Sequence, residues 1–287
     1  MKQEPYVGVS GVVGPEQHRA LASLAESTHL VHHRQLLIGI KAVHKTQWLD
    51  IDNKYGRQWY PVGDELAQVL DPAPDTFNVA QMYLDPETIN ADPDYARAFT
   101  EKVIRRAGAQ LDGVQYDMLP YHETPKAFND LVKTVKRYGQ QLIIQCHGPA
   151  MSLGPDVAID DLKRLSPEIN FVLFDASHGT GTQMNSGILK KFLEKAYLDA
   201  DFADYGTQFG VAGGLHGDNI RSMLSEILSE FPDISWDAEG KLHARVDEGG
   251  NGRLTKEKVQ PYLSASVRLL EHHNRPVEFE AIRMLNE

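Results

Sequence analysis

The sequence predicts a (β/α)8 barrel built as a single domain. Three observations carry that reading. Short apolar runs of strand length alternate with amphipathic stretches of helix length from end to end, about eight times and with no break in pattern. The clearest run, Phe171-Val172-Leu173-Phe174, is apolar throughout, as in a parallel strand covered on both faces. It ends on Asp175 and passes through Gly179, Thr180 and Gly181 into a helical pattern. A second unit of that kind, Phe209-Gly210-Val211-Ala212-Gly213-Gly214-Leu215, follows about thirty residues later. The main rival is a doubly wound open sheet. That fold usually carries a Gly-rich fingerprint after its first strand, and the spacing of Gly8, Gly11 and Gly14 does not match it.

Each element has its own justification. Residues 6–12 form the first strand, and Pro15 sits in the first turn of a helix reaching Ser27. Residues 36–43 form the second strand, with a short helix over 64–70. Residues 77–84 form the third, with its helix over 94–107. Residues 111–117 form the fourth, with a helix over 125–138. Residues 141–147 form the fifth, with a helix over 156–165. Residues 170–175 form the sixth. Its helix shows an apolar stripe at Ile188, Leu189, Phe192, Leu193, Ala196 and Tyr197. Residues 208–212 form the seventh strand, with a helix over 218–231. Residues 234–237 make a weak eighth, and 255–273 the last long helix. Irregular inserts are expected at 44–63 and 237–253. The barrel is assigned to residues 1–273, and residues 274–287 to a C-terminal appendage.

Composition narrows the function classes. The chain has 287 residues, 41% hydrophobic and 24% charged, the values of an ordinary globular protein. Its net charge of −11 argues against a nucleic-acid partner or an anionic membrane, which need a basic face. Cys146 is the only cysteine, so no intrachain disulfide forms and a reducing compartment is expected. No basic-then-apolar leader opens the sequence, and no apolar run approaches the roughly 20 residues of a membrane span. The expected location is the cytoplasm. Nothing in the pattern sets an oligomeric state.

Barrels of this type carry chemistry at the C-terminal ends of their strands. Those ends hold Ser10, Lys41, His44, Gln81, Tyr83, Gln115, Asp117, Gln145, His147, Asp175, His178 and Asp237. Asp175 stands out, because a carboxylate at a pocket mouth can be tuned as an acid or base. Gly179, Thr180, Gly181, Gly213 and Gly214, each group before a helix, suggest a phosphate cradle of backbone N–H groups. His147, His178 and His216 with Asp117 or Asp175 could surround a metal, but their spacing matches no zinc signature. Cys146, inside the fifth strand, reads as buried filler.

At these residues the chain resembles the phosphoribosylanthranilate isomerase family, barrel enzymes of the tryptophan pathway. The likeness is strongest at Leu173-Phe174-Asp175 with Gly179-Thr180-Gly181 and Phe192. It continues at Val211-Ala212-Gly213-Gly214-Leu215 with Asp218-Asn219-Ile220. Gly113-Val114-Gln115 resembles the family's fourth strand, which continues to a histidine where this chain has Asp117, and Val7-Gly8-Val9-Ser10-Gly11 its first. The resemblance implies an Amadori rearrangement of an aminoaldose phosphate, with no metal or other cofactor. It places the general acid at Asp175. It places the general base, a cysteine in the family, at Ser10. A hydroxyl is not ionised near neutral pH unless another base activates it. Asp117 or His147 are the candidates to replace that base. The family's phosphate motif after the eighth strand is reduced to Asp237-Ala238-Glu239-Gly240, where Glu239 repels phosphate if it points inward.

The expectation is therefore an isomerase of a small phosphorylated sugar derivative. Asp175, Ser10, Asp117 and His147 are its catalytic candidates. Gly179, Thr180, Gly181, Gly213 and Gly214 are its phosphate ligands, with Lys41 or Arg57 available for a substrate carboxylate. The alternatives are a non-catalytic binding barrel that lost its cysteine at Ser10, and a metal-dependent lyase or hydrolase using His147, Asp175 and His178.

Overall fold

The computed structural model describes residues 3–54, 56, 57, 59–70, 73, 76–92, 94–117, 125–164, 167–175, 185–244 and 252–273. Eight parallel strands close in sequence order: β1 (Tyr6–Ser10), β2 (Gln35–Val43), β3 (Thr76–Tyr83), β4 (Gly113–Asp117), β5 (Gln141–His147), β6 (Phe171–Asp175), β7 (Gln208–Ala212) and β8 (Ser235–Ala238). Closure is made by β1 against β8, where Val7 pairs with Trp236 and Gly8 with Asp237. The predicted (β/α)8 barrel is the observed fold. Residues 274–287 lie outside the described residues, and no described helix is long and apolar enough to cross a membrane.

The helices alternate with the strands: α1 (Pro15–Ser27), α2 (Glu65–Val69), α3 (Pro86–Ala91), α4 (Tyr95–Ala107), α5 (Pro125–Arg137), α6 (Gly148–Ser152), α7 (Pro155–Lys163), α8 (Ser186–Tyr197), α9 (Ala200–Tyr205), α10 (Ile220–Glu230) and α11 (Lys256–His273). Three short helices, α3, α6 and α9, were not anticipated. Two of them begin on side-chain caps: Asp85 accepts from the Thr88 N–H, and Asp199 from the Asp201 N–H. They are too short to show a helical stripe. On α8 the stripe is narrower than predicted. Leu189, Phe192, Leu193 and Ala196 are buried, whereas Ile188 is 46% exposed.

Strand alternation sorts the apolar residues into two cores. Outward-facing residues such as Val7, Ile38, Val114, Ile144 and Phe174 pack beneath the helices, and Cys146 lies among them. Inside the barrel sit Tyr6, Leu37, Phe77, Val79, Ile143, Phe171, Leu173 and Ala212. Three rings close the N-terminal end: Tyr6 to Phe171 at 5.2 Å, Phe77 to Phe171 at 5.8 Å and Tyr6 to Phe77 at 6.0 Å. Gly113 makes room for them, because a Cβ there would meet the Phe77 ring at 3.1 Å. The lower barrel is thus plugged with hydrocarbon, and polar inward residues concentrate at the opposite, C-terminal mouth.

That plug sets a stability expectation. Phe171→Ala removes the ring touching both partners and should cost about 3–5 kcal/mol, as core aromatic deletions do. Denaturant unfolding measures it, and a loss below about 1 kcal/mol would show that the rings do not hold the barrel end.

Candidate active site

The C-terminal mouth carries a hydrogen-bonded belt of six side chains from six strands. Ser10 Oγ donates to the Asp237 carboxylate at 2.9 and 3.1 Å. Gln81 Nε2 donates to Ser10 Oγ at 2.7 Å and faces Gln115 Oε1 at 3.4 Å. Gln115 Nε2 donates to Gln145 Oε1 at 2.5 Å, and Gln145 Nε2 to Asp175 Oδ2 at 3.0 Å. The belt runs from one carboxylate to another through a hydroxyl and three amides. Ser10 is fully buried, and Gln81, Gln115, Asp175 and Asp237 are nearly so. Two inward glycines let the belt close. A Cβ on Gly8 would fall 2.6 Å from Asp237 Oδ1, and one on Gly39 would collide with Ser10 Oγ.

Asp175 and Asp237 approach from the other side as well. Asp175 is the register partner of Ala212, and Ala212 that of Asp237. One strand, β7, separates them, about 10 Å between backbones at two interstrand spacings. Burial pushes the Asp237 carboxyl up from an ordinary value near 3.8 to about 7. The negative charges of Glu239 and Asp175 add to that, and the Ser10 hydrogen bond opposes it.

The two expected inserts are not independent. The 44–63 segment opens with a π-helical turn, His44–Trp48, and later presents Trp59. The segment after β8 presents His243, which stacks on Trp59 at 4.7 Å. His243 Nδ1 pairs with the Glu239 carbonyl, and burial lowers the affinity of this imidazole for a proton. Beneath this stack, inward-facing Lys41 forms an ion pair with Glu239 and lies 5.5 Å from the rings of both Trp59 and Tyr60. Glu239 does reach the mouth, but against a lysine. Arg57 lies elsewhere: it is exposed and pairs with Asp52 and Glu65.

Of the strand-end residues that the sequence singled out, Ser10, Gln81, Gln115, Gln145, Asp175 and Asp237 meet in the belt. His147 is half-buried at the end of β5, where it is the register partner of Asp175. Asp117 ends β4 beside Gln145, and its side chain lies outside the described residues. Gly179, Thr180, Gly181 and His178 also lie outside them. Gly213 and Gly214 do follow β7, with φ of 126° and 64°, conformations that suit glycine. They do not open the helix directly. The α10 helix starts only at Ile220, because Asn219 folds back to accept from the His216 N–H and donate to the Gly214 carbonyl. Among the described residues no group of three or more His, Cys, Asp or Glu is placed to hold a metal ion. Burial raises the Cys146 thiol to about 12, which leaves it un-ionised near neutral pH.

Asp237 is the residue that sequence reasoning undervalued. It lies near the end of the short strand β8, and only barrel closure puts it on Ser10. The base needed to activate that hydroxyl, sought at Asp117 or His147, thus has a bonded candidate on β8.

No protein-family model and no curated protein matches this chain. Solved structures do resemble it. N-(5'-phosphoribosyl)anthranilate isomerase from Pyrococcus furiosus matches with a TM-score of 0.53 at 13% identity, covering 94% of this chain and 100% of that one. Tryptophan synthase subunit alpha from Legionella pneumophila matches with a TM-score of 0.54 at 11% identity, covering 94% of each chain. Triosephosphate isomerase from Bartonella henselae matches with a TM-score of 0.53 at 10% identity, covering 92% and 100%. At these identities the likeness is one of fold, and it places the chain among (β/α)8 barrels.

The raised Asp237 carboxyl makes a stability prediction. Its folded pKa lies above its unfolded value, so its contribution to stability is complete below about pH 4 and is lost as pH rises through 7. Asp237→Asn cannot ionise and escapes that loss. The variant should gain stability over wild type above pH 7 and gain none near pH 4. Just over three tenfold steps in proton affinity, at about 1.4 kcal/mol each, set an upper bound of about 4 kcal/mol. Urea unfolding at pH 4.5 and 8.5 measures it, and a gain equal at both values would contradict the buried, raised carboxyl.

Proposed function

We propose that the protein is a proton-transfer enzyme, an isomerase of a phosphorylated sugar derivative, working at the C-terminal mouth of the barrel. The observation that carries this reading is Asp237, a buried carboxyl raised to about 7, bonded to Ser10 and set one strand away from Asp175. A group that titrates near neutral pH is best matched to general acid–base work there. Asp175 acts as general acid and protonates the ring oxygen as the sugar opens. Asp237 acts as general base and takes the proton from the neighbouring carbon. Ser10 fixes the orientation of that carboxylate. The resemblance to phosphoribosylanthranilate isomerase at strands six and seven supports the assignment of Asp175. Two of the three solved barrels named above are also isomerases. Phosphate is assigned to Gly213 and Gly214 with Gly179, Thr180 and Gly181.

The test is proton exchange. Aldose and ketose phosphates, with N-(5'-phosphoribosyl)anthranilate among them, are incubated with the protein in D2O and followed by NMR. One of them should exchange its carbon-bound proton and isomerise. Asp175→Asn and Asp237→Asn should each slow this by about 10²- to 10⁴-fold without unfolding the barrel. The pH profile fixes the roles. A base at Asp237 makes kcat/KM fall as pH drops below about 7; a fall above 7 instead would make Asp237 the acid. Full activity in Asp237→Asn would remove it from the mechanism, and no exchange with any substrate would favour the binding barrel implied by Ser10 in place of a thiol. For the phosphate site, Gly213→Asp should abolish inorganic phosphate binding through charge and through the strain of a side chain at φ 126°. Unchanged affinity in the folded variant would rule that site out.

A further inference from the structure

We infer that the deep end of the mouth is a subsite for a neutral hydroxyl group, which donates its hydrogen to the buried carbonyl oxygen of Gln81, so that the ligand is a small polyhydroxylated molecule held hydroxyl-first against the belt. This rests on reading the mouth as the ligand site.

Gln81 is 4% exposed, and its side chain is central to the belt. Both N–H groups of its amide have directions set by neighbours: one donates to Ser10 Oγ at 2.7 Å, and the other faces Gln115 Oε1 at 3.4 Å. Its Oε1 is buried and has no hydrogen-bond partner among the described residues. Turning the amide over does not help. The oxygen would then face Gln115 Oε1, another acceptor, and the donation from Gln81 to Ser10 Oγ would be lost. The belt therefore locks an open acceptor in place. A buried acceptor left open is costly, and where one survives in a site it is satisfied by the molecule that the site binds.

The chemistry of that molecule follows from its surroundings. An anionic group is excluded at this depth by Asp237 on one side of the belt and Asp175 at the other end. An ammonium brings three hydrogens and no lone pair, so it can accept nothing from the amide N–H groups of the belt. A hydroxyl brings one hydrogen and two lone pairs. The hydrogen suits Gln81 Oε1. The lone pairs suit the second N–H that Gln115 and Gln145 each carry beyond the bond made to the next belt member. A run of hydroxyls matches this alternation, and sites built to bond a hydroxyl reject analogues that lack its hydrogen.

The test uses D-ribose with its 2-deoxy-2-fluoro and 3-deoxy-3-fluoro analogues, which keep size and lose one donor hydrogen. Saturation-transfer NMR titrations are run on the whole protein and on Gln81→Met. D-ribose should bind wild type in the millimolar range, with at least one fluoro analogue about tenfold weaker. Gln81→Met, folded by its thermal transition, should bind all three sugars alike. The inference is overturned if D-ribose does not bind, if wild type treats the three sugars equally, or if Gln81→Met discriminates as wild type does. Should that variant not fold, the side-chain amide resonance of Gln81 in wild type replaces it. This resonance must move with D-ribose and stay in place with the discriminated analogue; movement with neither or with both overturns the subsite. Ribose recognition through Gln81 with no proton exchange on any sugar phosphate would sink the isomerase reading and leave the subsite. Exchange indifferent to Gln81 would sink the subsite alone.

Discussion

Closing eight strands into a barrel points every second side chain into a space walled on all sides, and the molecule depends on how that space is filled. Its lower part takes the Tyr6, Phe77 and Phe171 rings, which exclude water, and the Tyr6 hydroxyl is buried there with no hydrogen-bond partner among the described residues. Its upper part takes polar side chains, and there each group must find a partner or carry the cost of burial. The belt from Asp237 to Asp175 answers that demand. Each member satisfies the next, with one exception at Gln81 Oε1. The geometry is tight enough that glycine is required at residues 8 and 39 to let the polar groups meet.

The belt also determines the electrostatics. Asp237 is raised mainly because the closed wall strips it of water, and secondarily because Glu239 and Asp175 are near. Lys41 forms an ion pair with Glu239 at the rim. Two loops absent from a minimal barrel provide this rim. Trp59 from one and His243 from the other stack and cover the Lys41–Glu239 pair. A glycine at 252 packs against Trp59, where a Cβ would lie 2.7 Å from the indole nitrogen, so the two loops fit as one unit.

Ser10 illustrates how such a wall changes the meaning of a residue. A lone hydroxyl at a strand end is a poor base. Here it is bonded to a buried carboxyl raised to about 7. The similar barrels share the wall at 10–13% identity, which shows how few residues the fold itself fixes.

The barrel was legible in the chain because it rests on periodicity. Each buried strand is a short apolar run, each outer helix a 3.6-residue stripe, and both patterns are local. Asp175 was legible for the same reason: an acid directly after Phe174 must stand at a strand end. The pairing of Ser10 with Asp237 was not, because 227 residues separate them and only the β1–β8 closure joins them. The fit of Trp59 on His243 was hidden likewise, in two segments with no period to read. The loop between Gly214 and α10 depended on which backbone groups Asn219 could reach, a choice made after folding. The sequence by itself thus determined which polar residues stand at the strand ends. The tertiary structure decided which of them share a hydrogen, because strand closure sets distances that sequence separation does not encode.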